Sequence, residues 1–141
     1  MNRVYWDTMI FIYLLEGHPE LGAAVRSLYG EMQHRKARLM TSAFAVGEVL
    51  AGLRKLQALE ALSTAQEFFS SGQIDILPFD VAVAETYAAI RAQTSASAPD
   101  SIHLATAAHA GTDLFLTNDK KLQKLRIPGI RFMAGLDGKL W

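Results

Sequence analysis

An alternation constrains this chain most. Short, apolar, β-prone stretches recur between longer helical segments along all 141 residues. Val4-Tyr5-Trp6, Arg38 to Thr41, Ile74 to Leu77 and Asp113 to Thr117 read as strands, and Ile130 to Met133 as a fifth, edge strand. Between them, Thr8 to Glu16, Pro19 to about Lys36, Ala43 to Lys55, Gln57 to Ser70, Val81 to Gln93 and Asp100 to Gly111 read as helices. Residues Lys120 to Leu125 read as one or two helical turns. Strands alternating with helices predict a parallel sheet covered on both faces. The expected fold class is α/β: a three-layer α/β/α sandwich around a central, mostly parallel sheet of four to five strands. No repeat, low-complexity tract or long linker interrupts the pattern, so residues 1–141 are expected to form one domain.

Local signals refine the elements. Ser42 is a good N-cap for the helix that follows it. That helix carries an apolar stripe of Val46, Val49, Leu50 and Leu53, with Glu48 placed roughly opposite, beside Phe44, Ala51 and Gly52. Thr94 to Ala98 reads as a small polar loop closed by Pro99, with Asp100 opening the next helix. In the first helix, Phe11 to Leu15 are five consecutive large apolar residues, which point all around the axis. Either neighbouring helices or a second copy of the chain must cover them.

Composition removes whole classes of function. Lys plus Arg is 14 and Asp plus Glu is 14, so the net charge is zero and bulk charge cannot coat a polyanion. Such a partner needs a local basic patch or bound metal. The absence of cysteine removes disulfides, thiolate metal sites and a cysteine nucleophile. No apolar run reaches the roughly 18 residues of a membrane span. Asp7 interrupts the N-terminal apolar stretch, which argues against a signal peptide and makes the cytoplasm the expected location, away from membranes. No G-x-G-x-x-G follows the first strand, Gly47 and Gly52 lack the Lys-Ser/Thr of a phosphate loop, and there is no G-x-S-x-G or H-E-x-x-H. His103 and His109 are about 240° apart around a helix and share no ligand face.

What remains is a set of acids. Asp7 ends the first strand and Asp119 follows the fourth, so both belong to the carboxyl edge where parallel sheets bind ligands. Asp100 starts a helix, and Glu48 sits among small and apolar residues. Taken singly, Asp7 and Asp100 fit helix capping, Asn118-Asp119 fits a turn, and Glu48 fits a solvent face or a pair with Arg54 or Lys55. Taken together, they fit an acidic metal site. Carboxylates at one locus raise each other's pKa, and a hard cation such as Mg²⁺ or Mn²⁺ relieves that repulsion. Such an ion can activate water and neutralise charge on a scissile phosphate.

The order of these residues resembles the PIN-domain ribonucleases, most of all the VapC-type toxins of bacterial toxin–antitoxin modules. The resemblance is carried by Asp7-Thr8, by Thr41-Ser42 with Glu48-Val49-Leu50, by Asp100-Ser101-Ile102-His103-Leu104-Ala105-Thr106-Ala107 and by Leu116-Thr117-Asn118-Asp119. It spans nearly the whole chain. It implies a catalytic, metal-binding quartet of Asp7, Glu48, Asp100 and Asp119, with Thr8, Thr117 and Asn118 supporting the carboxylates by hydrogen bonding. Leu122 departs from the aromatic that many relatives carry after the last acid, and Phe44 is large for a cleft wall.

The resemblance further implies a Mg²⁺- or Mn²⁺-dependent endoribonuclease acting on RNA, a cognate antitoxin as partner, and a homodimer. Lys120 and Lys121, with Lys124 and Arg126 nearby, and Arg54 after Glu48 are the candidate RNA-binding cations, although each also fits a solvated face. An antitoxin tail could place an Arg among the acids, with Phe11, Phe44 and Leu53 as candidate groove walls. His103 is expected to pair with Asp100 or to pack. A catalytically silent RNA- or protein-binding module is the alternative reading, and a DNA-directed nuclease a third.

Overall fold

The computed structural model of the chain describes residues 1–138 and 140. Five strands form one sheet: β1 (Arg3–Trp6), β2 (Arg38–Ser42), β3 (Ile74–Leu77), β4 (Thr112–Leu116) and β5 (Ile130–Ala134). Their order is β3-β2-β1-β4-β5, and every neighbouring pair is parallel. The helices are α1 (Thr8–Leu15), α2 (Leu21–His34), α3 (Ala43–Lys55), α4 (Leu59–Ser70), α5 (Val81–Gln93) and α6 (Ala98–Ala110), and Leu122–Lys124 forms a 3₁₀ turn.

Strand alternation splits the core into two layers, because successive side chains leave opposite faces of a sheet. Val4, Trp6, Leu39, Leu114 and Leu116 pack with residues of α1 to α4, including Phe11, Val25, Val49, Leu53 and Leu62. Tyr5, Met40 and Phe115 pack on the other face with Val83 and Ile90 of α5 and Leu104 of α6. Tyr5 and Phe115 stack with ring centroids 4.9 Å apart across the β1–β4 pair. The central strands are buried on both faces, as their nearly continuous apolar sequences require.

The strand order decides where a site can form. From β1 the chain winds through β2 to β3, then crosses back and places β4 on the opposite side of β1. β1 and β4 therefore flank the point where the winding reverses. Loops leaving their carboxyl ends diverge there and open a crevice.

Several expectations need correction. Helix α6 starts earlier than Asp100. Ser97 is its N-cap and accepts a hydrogen bond from the Asp100 amide, with Pro99 accommodated in the first turn. A proline there sacrifices no helical hydrogen bond, so it opens a helix instead of closing a loop. The stripe of α3 centres on Ala45, Val49 and Leu53, which puts Glu48 about 100° around the helix, on its flank and not opposite. The apolar block of α1 packs within the chain: Phe11 is fully buried, and Ile12 to Leu15 are half-buried against the first core layer. Phe11 and Leu53 are both fully buried, so neither can wall a groove.

Candidate active site

Beyond the ends of β1 and β4 lies a cleft of about 400 Å³ whose lining includes Asp7, Thr8, Glu48, Asp100, His103, Thr117, Asn118 and Asp119. The four acids and three supporting polar residues expected from the sequence thus share one cavity, contributed by β1, α1, α3, α6 and the segment after β4.

Asp7 is held from two sides. One carboxylate oxygen accepts the Thr8 amide at 2.8 Å, capping α1, and the other accepts the Thr117 hydroxyl at 2.8 Å. Its capping role and its place in the cleft are compatible, because a carboxylate has enough lone pairs for both and more. Thr117 is fully buried and its hydroxyl also accepts the Asp119 amide at 3.2 Å. Asp119 in turn accepts the Lys121 amide at 2.8 Å, so it closes its own turn while standing exposed at the cleft rim.

Glu48 is fixed by a relay from three elements. The Thr8 hydroxyl donates to its Oε1 at 2.6 Å, and His103 Nε2 lies 2.7 Å from the same oxygen. These hydrogen bonds, that from His103 first, hold the Glu48 carboxyl below its ordinary pKa. His103 Nδ1 meets the Tyr5 hydroxyl at 2.8 Å. Burial pushes the Tyr5 pKa up, so the phenol stays protonated beside Nδ1. The ionised Glu48 can only accept, so Nε2 is the donor in that pair. His103 is almost wholly buried, and its Nε2 also lies 3.6 Å from Asp7 Oδ1. The expected pairing of His103 with Asp100 gives way to this one with Glu48.

Asp100 is the acid without a fixed role of this kind. Its pKa is raised, first by partial burial and then by the charges of Asp7 and Asp119, against a lowering by Ser97. Asp100 therefore senses the charges of the other two aspartates. The three share the cleft without converging: among the described residues, no three His, Asp or Glu side chains form a ready set of metal ligands.

The proposed cations stand apart from the cleft lining. Lys120 is exposed and paired with Asp137, Lys121 is exposed beside it in sequence, and Arg54 is exposed on α3. The residue that sequence reasoning undervalued is His103. Its sequence signal was its position three residues after Asp100, on the same face of α6. Phe44 is half-buried, with its ring edge-on to His103 at 5.4 Å between centroids, and it packs the imidazole.

A wholly parallel α/β/α sandwich with acids gathered at its winding reversal defines a narrow class. The PIN domain family model matches residues 4–128, and the chain belongs to that family. Among solved structures it is similar to VapBC2 from Rickettsia felis bound to a DNA fragment from their promoter, at 17% identity over 94% of this chain and 97% of that one, with a TM-score of 0.72. It is similar also to a toxin–antitoxin complex from Klebsiella pneumoniae, at 24% identity over 90% and 94%, TM-score 0.68. A third is VapC20 of Mycobacterium tuberculosis, a sarcin–ricin loop cleaving toxin, at 15% identity over 79% and 86%, TM-score 0.65. At these identities the likeness is one of fold. No curated protein matches the chain in sequence.

Proposed function

We propose that the chain is a divalent-metal-dependent endoribonuclease and the toxin of a VapBC-type module. The observation that carries this reading is the one cleft lined by Asp7, Glu48, Asp100 and Asp119, in which the Asp100 pKa is raised, first by partial burial and then by the charges of Asp7 and Asp119. Membership of the PIN family and the fold shared with VapBC proteins support it.

The donor set suits a hard cation. It is all oxygen, it is crowded with negative charge, and it lacks thiolates. Asp7, Glu48, Asp100 and Asp119 would hold Mg²⁺ or Mn²⁺. When bound, such an ion neutralises charge at the scissile phosphate and acidifies the attacking water. The chain's own residues do the positioning. Thr117 and the Thr8 amide fix the Asp7 carboxylate in one rotamer. Thr8 and His103 keep Glu48 ionised and aimed into the cleft. Asp100 is the least constrained acid and can turn toward a cation without breaking a side-chain relay.

A cognate antitoxin is the partner this reading implies. An Arg from its tail would meet the same carboxylates bidentately and compete with metal. Homodimerisation and the RNA contacts of Lys120, Lys121 and Arg54 belong to the same proposal. Induced expression in a bacterial host tests it. The wild-type chain should arrest growth and fragment cellular RNA, and Asp100→Asn at equal protein level should restore both. Normal growth and intact RNA with soluble wild-type protein would contradict the reading.

A further inference from the structure

A second cavity, of about 650 Å³, lies between the segment after the 3₁₀ turn and the edge strand β5. It is lined by Gln123, Lys124, Arg126, Arg131, Phe132 and Met133, among others. Three features separate it from ordinary surface. The first is charge: residues 120–131 hold five of the chain's 14 Lys and Arg and no acid. In a protein of zero net charge this is a marked local excess. Lys120 pairs with Asp137, and Arg131 lies 3.9 Å from Asp113. Lys124 and Arg126 are exposed and make no ion pair among the described residues.

The second feature is aromatic. Phe132 is 55% exposed on β5, and the Arg131 guanidinium stands 5.8 Å from its ring centroid. A large exposed ring in a groove that also holds two unpaired cations, Lys124 and Arg126, suits a nucleotide, whose base stacks on the ring while the cations meet its phosphates. The third feature is continuity with the acidic cleft. Gln123 Nε2 donates to the Thr117 carbonyl at 2.9 Å, and the Gln123 amide donates to the Asp119 carbonyl at 3.2 Å. One short segment therefore forms the rim of the cleft at Asp119 and the mouth of the groove at Gln123.

We infer that this groove is an RNA subsite holding a nucleotide that flanks the scissile phosphate, with its base on Phe132 and its phosphates near Lys124 and Arg126. The inference rests on the ribonuclease reading of the cleft. A neutral protein cannot hold RNA by bulk charge, and four carboxylates repel phosphate near the cutting point. A separate basic groove supplies the attraction away from the acids. Charge decides between occupants: a groove with two unpaired cations, an exposed ring and no acid in its lining favours a polyanion with stackable rings.

The test compares the full-length protein with Phe132→Ala and with a Lys124→Ala/Arg126→Ala double variant. Steady-state cleavage is measured with Mn²⁺ on a 12-nucleotide single-stranded RNA, and on a trimmed RNA that retains the cleavage site and one nucleotide on each side. On the longer RNA, Phe132→Ala should raise KM about five-fold or more with kcat nearly unchanged, as expected for a lost base stack. The double variant should do the same and flatten the dependence of KM on salt. Both variants should match wild type on the trimmed RNA. Wild-type KM on the longer RNA in both variants would overturn the subsite while leaving the ribonuclease reading intact. So would an equal loss on both substrates, which marks a merely structural effect. If the variants instead lose affinity for the antitoxin with KM unchanged, the groove serves a protein and the inference is wrong. Failure of the wild-type protein to cleave either RNA would count against the ribonuclease reading itself, and the subsite would fall with it.

Discussion

At the scale of single residues, Asp100 and Glu48 have opposite electrostatic signs. The Asp100 pKa is raised in the fold by partial burial and by Asp7 and Asp119. The folded chain thus binds that proton more tightly than the unfolded chain does. The ionised carboxylate opposes folding above its folded pKa, and the penalty vanishes below the ordinary carboxylate value. Asp100→Asn should therefore raise Tm at pH 7 without metal by about 1–2 °C, a small gain because the group is still partly in water. The gain should shrink toward zero as pH falls through about 4. Glu48 behaves the other way. His103 and Thr8 lower its pKa, so its contribution is present above the ordinary glutamate value and lost as pH falls through the folded one. Glu48→Gln should lower Tm at pH 7, with the difference fading in acid. Thermal melts of both variants across pH check the pair, and two shifts of the same sign would show that the acids do not interact as described.

At the scale of elements, α6 connects fold to site. Ser97 accepts the Asp100 amide and sets the helix start, and the first turn then delivers Asp100 and His103 to one cleft. Ser97→Ala should cost about 1 kcal/mol, or about 3 °C in Tm. It should also lower cleavage by more than that stability loss accounts for, because the first turn that delivers Asp100 and His103 to the cleft frays. A change in Tm with no change in rate would mean that the cap matters only to stability. The strands, the parallel sheet and the acids at the ends of β1 and β4 were legible in the sequence, since alternation and apolar runs are local signals. The start of α6 was misread because Pro99 looks like a breaker, although a first-turn proline is compatible with a helix. The His103 relay was not legible. It joins residues 55 and 98 positions apart, and only the sheet order brings Tyr5, Glu48 and His103 together. The pairing of Lys120 with Asp137 was hidden for the same reason.

At the scale of the molecule, net neutrality and local polarity coexist. The acids gather at the winding reversal between β1 and β4, while Lys124, Arg126 and Arg131 gather at the groove beside β5. Under the proposed function, this separation would let one small sheet bind metal at one place and attract phosphate at another. Packing of α1 against its own neighbours buries Phe11 fully and Ile12 to Leu15 in part. The central claim is that the four carboxylates form one metal-dependent cleaving centre. Its most direct test is the single-turnover cleavage of a defined RNA by purified protein, titrated with Mn²⁺ after complete chelation, for wild type and for Asp7→Asn. Wild type should be inactive without the ion and should saturate as it is added. Metal near ten times its Kd should also raise Tm by about 4 °C, from roughly 1.4 kcal/mol of linked stabilisation. Asp7→Asn should cleave at least about 100-fold more slowly at every concentration. Cleavage that persists in excess chelator, or an Asp7→Asn rate within a few-fold of wild type, would contradict the assignment.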